Sequence, residues 1–276
     1  MKLRLADGSL DLTNPIIMGV LNCTPDSFSD GGRYNTLDNA LRHAEAMIKE
    51  GAGIIDIGGE STRPGAPAVP LEEELDRVIP VLERLTREFD APVSVDTSKT
   101  GVMREALAAG AAMINDVTAL SDEGAIQVCA DAGTAVCLMH MQGTPRTMQE
   151  APEYDDVLAD VVTYLSERAA ACEAGGIDRD AIVIDPGFGF GKTVEHNLQL
   201  LAGLGRLVDT GYPVLAGLSR KSMIGKILGR DVDDRLVGSV VLALLAAQNG
   251  AHIIRVHDVA ETADALKVAG AVAQAL

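Results

Sequence analysis

Apolar and polar positions alternate along this chain at two periods. Eight short apolar runs, MGVLN, IIDIGGEST, VSVD, MIND, VCLMH, IVID, VLAGLSRK and IIRVH, each stop at polar residues. Those residues are Asn22, Thr62, Asp96, Asn115 with Asp116, His140, Asp185, Lys221, and Arg255 with His257. Most gaps between runs carry the helical period. Leu37, Ala40, Leu41, Ala44, Met47 and Ile48 share one face, with Thr36 placed to cap that helix and Gly51 to end it. Comparable patterns occupy 71–89, 102–109, 125–130, 157–174, 195–208, 236–248 and 262–275, and Pro80 is predicted to kink or divide the first of these. Leu3, Leu5, Leu10 and Leu12 alternate around Asp7-Gly8 and predict a β-hairpin covering the bottom of the molecule. Strand and helix alternating eight times predict an α/β fold, a closed (β/α)8 TIM barrel forming a single domain over residues 1–276. In such barrels chemistry sits at the C-terminal ends of the strands, where the polar residues fall.

The length of 276 residues suits one barrel, and 47% apolar content is ample for its core. With 3% aromatics and no Trp, that core must be built from Ala, Val, Ile and Leu. A formal net charge of −17 argues against nucleic acid and for small-molecule partners. Against that charge, cations gathered at strand ends would mark an anion site. Cys23, Cys129, Cys137 and Cys172 form no CxxC pair and read as buried free thiols of a reducing compartment. Lys2, Arg4 and Asp7 interrupt the N-terminus before a signal-peptide core forms, and the longest apolar stretch, 240–247, is far too short to span a bilayer. A cytoplasmic protein without membrane partners is expected.

Strand parity sharpens the candidate chemistry, because alternate side chains face into a barrel. Asp96 shares its face with Ser94, and Arg255 shares its face with His257. Asp96, Asn115 and Asp185 are donors and acceptors suited to the edge of a heterocycle. Lys221, Arg255 and His257 are a complementary anion set, on the last two strands where barrels often hold phosphate. A heterocycle carrying a phosphate ester or diphosphate satisfies both sets. Blander roles compete. A strand-end Asp also serves as a helix N-cap, the role favoured for Asp116. His43, His196 and His252 read as structural, His140 closes a strand without a charged companion, and Asp56 and Glu60 suit the site or the loop backbone equally. Gly187-Phe188-Gly189-Phe190-Gly191-Lys192-Thr193 imitates a phosphate-binding loop, but Pro186 stands where its first glycine belongs. Its glycines instead allow close approach to a ligand, with Phe190 offering an apolar face.

Read in order, three motifs are highly specific. They are Asn22-Cys23-Thr24-Pro25-Asp26-Ser27-Phe28-Ser29-Asp30-Gly31-Gly32, Gly58-Gly59-Glu60-Ser61-Thr62-Arg63-Pro64-Gly65 and Ser94-Val95-Asp96-Thr97. With Asn115-Asp116, the Asp185–Lys192 stretch, Ser219-Arg220-Lys221-Ser222 and Arg255-Val256-His257-Asp258, the chain closely resembles the dihydropteroate synthases of the folate pathway, from first strand to last helix. Cys23, where valine is expected, is a small departure. The resemblance implies condensation of p-aminobenzoate with 6-hydroxymethyl-7,8-dihydropterin diphosphate, giving 7,8-dihydropteroate and diphosphate. It implies that Asp96, Asn115, Asp185 and Lys221 hold the pterin, while Arg255, His257 and a Mg²⁺ bound through Asn22 grip the diphosphate. Thr62, Arg63, Pro64, Phe190, Lys221 and Ser222 would shape the p-aminobenzoate pocket, with Phe28 and Asp30 on a closing loop. It also implies a homodimer through the late helices. An SN1-like loss of diphosphate without a covalent enzyme intermediate fits such a site. Two rivals remain at this stage: a methyltetrahydrofolate-dependent methyltransferase barrel, which has no use for a diphosphate grip, and a non-catalytic pterin-binding protein.

Overall fold

The structure, a computed structural model, describes residues 1–23, 33–62, 65–144 and 147–275. Its strands are β1 (Lys2–Leu5), β2 (Gly8–Asp11), β3 (Ile16–Asn22), β4 (Ala52–Gly58), β5 (Val93–Asp96), β6 (Met113–Asp116), β7 (Ala135–Met139), β8 (Ile182–Asp185), β9 (Leu215–Ala216) and β10 (Ile253–Val256). Its α-helices are α1 (Arg33–Glu50), α2 (Leu71–Glu88), α3 (Thr100–Ala108), α4 (Ala125–Ala132), α5 (Val157–Ala174), α6 (Val194–Ala202), α7 (Gly205–Val208), α8 (Ser222–Leu228), α9 (Leu236–Gln248) and α10 (Val259–Ala273). The eight strands β3 to β10 pair in parallel in the order β8-β7-β6-β5-β4-β3-β10-β9. A parallel bridge between Ile184 and Val214 joins the two ends, so the sheet closes into the expected barrel.

Alternation along the strands divides the core in two. Outward residues such as Ile55, Ile57, Val95, Ile114, Val136, Leu138, Ile184 and Ile254 pack under the helices. Inward residues at the strand starts, Met18, Ile54, Met113, Ala135, Val183, Leu215 and Ile253, fill the N-terminal end of the barrel. The hairpin β1–β2 seats Leu3, Leu5 and Leu12 against that layer, closing the bottom. Each such leucine contributes about 1.5–3 kcal/mol by leaving water. The hairpin turn is Ala6-Asp7, one residue earlier than expected, and Gly8 begins the returning strand at a φ of +107°.

Helix expectations hold with informative exceptions. The apolar face of α1 is buried at Ala40, Leu41, Ala44 and Met47. The helix begins at Arg33, so Thr36 lies within it and is not its cap. Pro80 does not divide α2, which runs unbroken with the proline on its exposed side. The stretch 195–208 splits into α6 and α7 at Gly203, which ends α6 where the backbone passes close to the Leu158 side chain. Strand β9 is only two residues long, since from Gly217 onward the chain leaves the sheet for the rim. Among the described residues, no helix is long and apolar enough to cross a membrane.

Candidate active site

Above the apolar floor, the next inward positions of the barrel are polar. Asp56 on β4 lies opposite Ser94 on β5, and Asp96 lies opposite Asn115 on β6. Arg255 on β10 reaches across to both acids: its Nε donates to Asp56 Oδ2 at 2.7 Å and its Nη2 to Asp96 Oδ2 at 2.9 Å. Asn115 Nδ2 donates to the same Asp56 oxygen at 3.3 Å. Asp56 is fully buried, and its second oxygen has no hydrogen-bond partner among the described residues. Asp56 is therefore the brace of the site, a role left open beside loop support. Glu60 takes the loop role, accepting from the Val69 amide at 3.2 Å and pairing with Lys99, which also pairs with the buried Glu74.

Asp185 ends β8 buried, its Oδ1 accepting the Gly187 amide at 2.7 Å. Lys221 comes to it from the other side of the barrel seam. It sits just before α8, after Arg220, whose φ of +58° is the left-handed region. That conformation is clamped by an ion pair to Asp258 and by the Arg220 amide donating to Ser239 Oγ at 2.9 Å. The turn places Lys221 Nζ 4.1 Å from the centre of the Phe190 ring. His257 follows β10, with its Nδ1 3.0 Å from Ser219 Oγ. Val117, Met139, Met148 and Phe190 form a separate buried apolar cluster beside Asn115 and Asp185, a wall suited to a flat ring.

Low solvation sets the charge states. Burial holds the carboxyls of Asp185 and Asp96 above the usual range, with Arg255 opposing at Asp96. Burial also lowers Lys221 to about 8, against the pull of Asp185, so it stays mostly cationic at neutral pH. His257 falls to about 4 through burial and the neighbouring Arg255, so its imidazole is neutral. Burial disfavours the Arg255 cation, but Asp56 and Asp96 outweigh it and hold the guanidinium charged.

Asp96, Asn115, Asp185, Lys221, Arg255, His257 and Phe190 thus converge on one mouth. Asn22 ends β3 exposed at the rim, on the strand that pairs with β10. Thr62 lies half-buried on the loop beyond the end of β4, and Ser222 is the exposed first residue of α8. Phe28, Asp30, Arg63 and Pro64 lie outside the described residues. Asp116 caps no helix; its carboxylate accepts from the amides of Thr118 and Leu120 and holds the turn after β6. His196 completes a capping box with Thr193, His252 accepts the Val214 amide and His43 is exposed, so none of the three belongs to the site. Val117, Met139 and Lys192 join the site or its support without having been singled out for it. Parity signals only Val117, which follows Asn115 by two; Met139 enters through its pairing with Asp185 across β7 and β8, which the sequence does not display.

The class of the protein follows from the family match: residues 18–257 fit the model of the pterin binding enzymes. The chain is 55% identical to the dihydropteroate synthase of Escherichia coli strain K12, over 97% of this chain and 95% of that one. It superposes on Xanthomonas albilineans dihydropteroate synthase with 4-aminobenzoic acid at a TM-score of 0.94, with 55% identity, covering 100% of this chain and 98% of that one. The same enzyme in complex with 7,8-dihydropteroate gives 0.91 and 53%, covering 100% of both chains. The chain belongs to the dihydropteroate synthase family, whose members are transferases.

Proposed function

We propose that this chain joins p-aminobenzoate to 6-hydroxymethyl-7,8-dihydropterin diphosphate, releasing 7,8-dihydropteroate and diphosphate, with the residues above in the following roles. The observation that carries the assignment is Arg255 held between Asp56 and Asp96, with Asp185 and Lys221 completing one mouth. Asp96, Asn115 and Asp185 meet the pterin edge, where carboxylate and amide groups match ring N–H and amino groups. Met139, Val117 and Phe190 flank its faces. Lys221 and Arg255 face the diphosphate end with positive charge, and His257 adds a neutral donor. With the Ser219 hydroxyl on Nδ1, the His257 Nε2–H is left to donate to an anion.

The bond between the pterin methylene and the diphosphate oxygen breaks with its electron pair leaving on diphosphate. Arg255 and His257 stabilise the charge that develops there. The electron-rich pterin spreads the positive charge left on the methylene, favouring an ionising, SN1-like path. The arylamine nitrogen then forms the new bond and gives up a proton. It needs placement more than a strong base, and Thr62, Arg63, Pro64, Phe190, Lys221 and Ser222 would supply it, with Phe28 and Asp30 closing the site. No covalent enzyme intermediate forms.

Mg²⁺ fits the donor set. Asn22 offers a hard amide oxygen at the rim, and among the described residues no group of three His, Cys, Asp or Glu is gathered to cage a metal. An ion that keeps its waters and leans on substrate phosphates needs little more from the protein. Bound there, Mg²⁺ would neutralise charge on the leaving diphosphate.

A homodimer is supported by a stripe of exposed apolar side chains on neighbouring helices. Val237, Val241 and Leu245 follow one another at one-turn spacing on α9, with Val268 and Val272 on α10 and Ile227 and Leu228 on α8. Exposed apolar side chains gathered on adjacent helices are the kind of surface that a second copy of the chain can cover. The four cysteines are buried and free, which suits the reducing cytoplasm.

The test is diphosphate release by the purified chain, which should require both substrates and Mg²⁺ and yield 7,8-dihydropteroate. Methyl transfer from methyltetrahydrofolate, or pterin binding without turnover, would establish a rival reading instead.

A further inference from the structure

Lys192, in the glycine-rich stretch after β8, is 3% exposed, and its partners are unusual. Nζ lies 2.9 Å from Phe190 O, 3.1 Å from Gly187 O, 3.3 Å from His140 O and 2.9 Å from His140 Nδ1. Carbonyl oxygens converging in a dry place repel one another unless a cation gathers them. The glycines allow that convergence: Gly187, Gly189 and Gly191 have φ of +66°, +80° and +60°. A Cβ at Gly187 would fall 1.9 Å from His140 O, and one at Gly191 would fall 2.7 Å from Gln142 O. Other polar groups of the loop are tied separately. The Gly189 amide donates to Asn197 Oδ1, Gln149 donates to Gly189 O and the Tyr154 hydroxyl donates to Gly191 O.

The far side of this loop is the reaction site. Phe190 projects to Lys221, a Cβ at Gly189 would lie 3.2 Å from the Lys221 stem, and the Gly187 amide orients Asp185. We propose that Lys192 is a positioning residue for the condensation: its buried ammonium gathers the loop carbonyls and so sets Phe190, Lys221 and Asp185 in working geometry. The inference rests on the proposed function only for the reaction it serves.

Burial lowers Lys192 to about 7 and His140 to about 3, with Asp185 favouring and Lys221 opposing the Lys192 charge. The aromatic rings of Tyr154 and Tyr164 pack against His140. At pH 6 a charged lysine therefore faces a neutral imidazole, whose Nδ1 must accept and whose Nε2 carries the proton.

The test compares Lys192→Met with the parent full-length chain, using melting temperature, kcat and both KM values per folded molecule. The expected result is a KM for p-aminobenzoate raised, and a kcat/KM lowered, by about 10- to 100-fold, the scale of misplaced reacting groups. Unchanged kinetics per folded molecule, with only a lower melting temperature, would reduce Lys192 to a structural residue and overturn the inference. If the variant does not fold, ¹⁵N spectra of His140 in the parent chain at pH 6 decide. The Nε2–H tautomer supports the cage, and the Nδ1–H tautomer refutes it. A parent chain forming no dihydropteroate would sink the proposed function, while the spectra still judge the cage.

Discussion

Replacing Arg255 by methionine removes one side chain and leaves two buried acids facing each other. Asp56 is fully buried and loses its 2.7 Å partner; Asp96 loses its 2.9 Å partner. Breaking a buried pair from one side costs about 3–5 kcal/mol, because the remaining charge is left without compensation. For a chain of this size that corresponds to a fall in melting temperature of roughly 6–20 °C. The deficit should depend on pH in a definite sense. In the variant Asp96 loses the cation that opposes the rise its burial causes, so its folded-state pKa stands further above the unfolded value and the folded variant binds more protons than its unfolded chain. Its stability therefore falls as pH rises through that folded value, and the gap to the parent is smaller at pH 5 than at pH 8. Adding Asp56→Asn to the same variant removes one orphaned charge and should restore about half of the loss or more. Thermal unfolding of the parent, both single variants and the double variant at three pH values closes the cycle. Arg255→Met melting with the parent at every pH, with no recovery in the double variant, would refute the buried network.

Lys221→Ala and Asp185→Asn should each lower kcat by about 100-fold or more, with melting temperatures near the parent's. In the second case the asparagine oxygen still accepts the Gly187 amide, so equal collapse of both variants would mark the pair as structural. Because Lys221 titrates near 8 and works as a cation, kcat/KM should fall as pH rises through about 8. A profile flat to pH 10 would contradict that role. Gly187→Ala should abolish the soluble, active chain, since its Cβ meets the His140 carbonyl; a normally active variant would show that the loop has room. Val241→Glu should convert a dimer to monomer in light scattering, and an unchanged mass would move the interface elsewhere.

What the chain disclosed in advance followed from strand periodicity. A period of two fixed Asp96 with Ser94 and Arg255 with His257, and strand ends collect at one rim in a barrel, so the polar set was legible before any coordinates. What stayed hidden depends on distant backbone. Lys192 is gathered by carbonyls, which every residue carries and no side-chain pattern advertises. The Gly203 break lies where the backbone passes Leu158, far away in the chain. Asp56 read equally as loop support because its defining partner, Arg255, lies 199 residues further on. The run ending at Lys221 outlasts its strand for another reason: small and apolar residues continue past Ala216, although the sheet does not.

If carboxylates and cations from opposite sides of the barrel serve one ligand, a crystal structure of the chain with the pterin diphosphate and Mg²⁺ will show it. The ring edge should lie on Asp96, Asn115 and Asp185, with the diphosphate against Arg255 and His257. A ligand bound away from that mouth, or a diphosphate touching neither Arg255 nor His257, would contradict it.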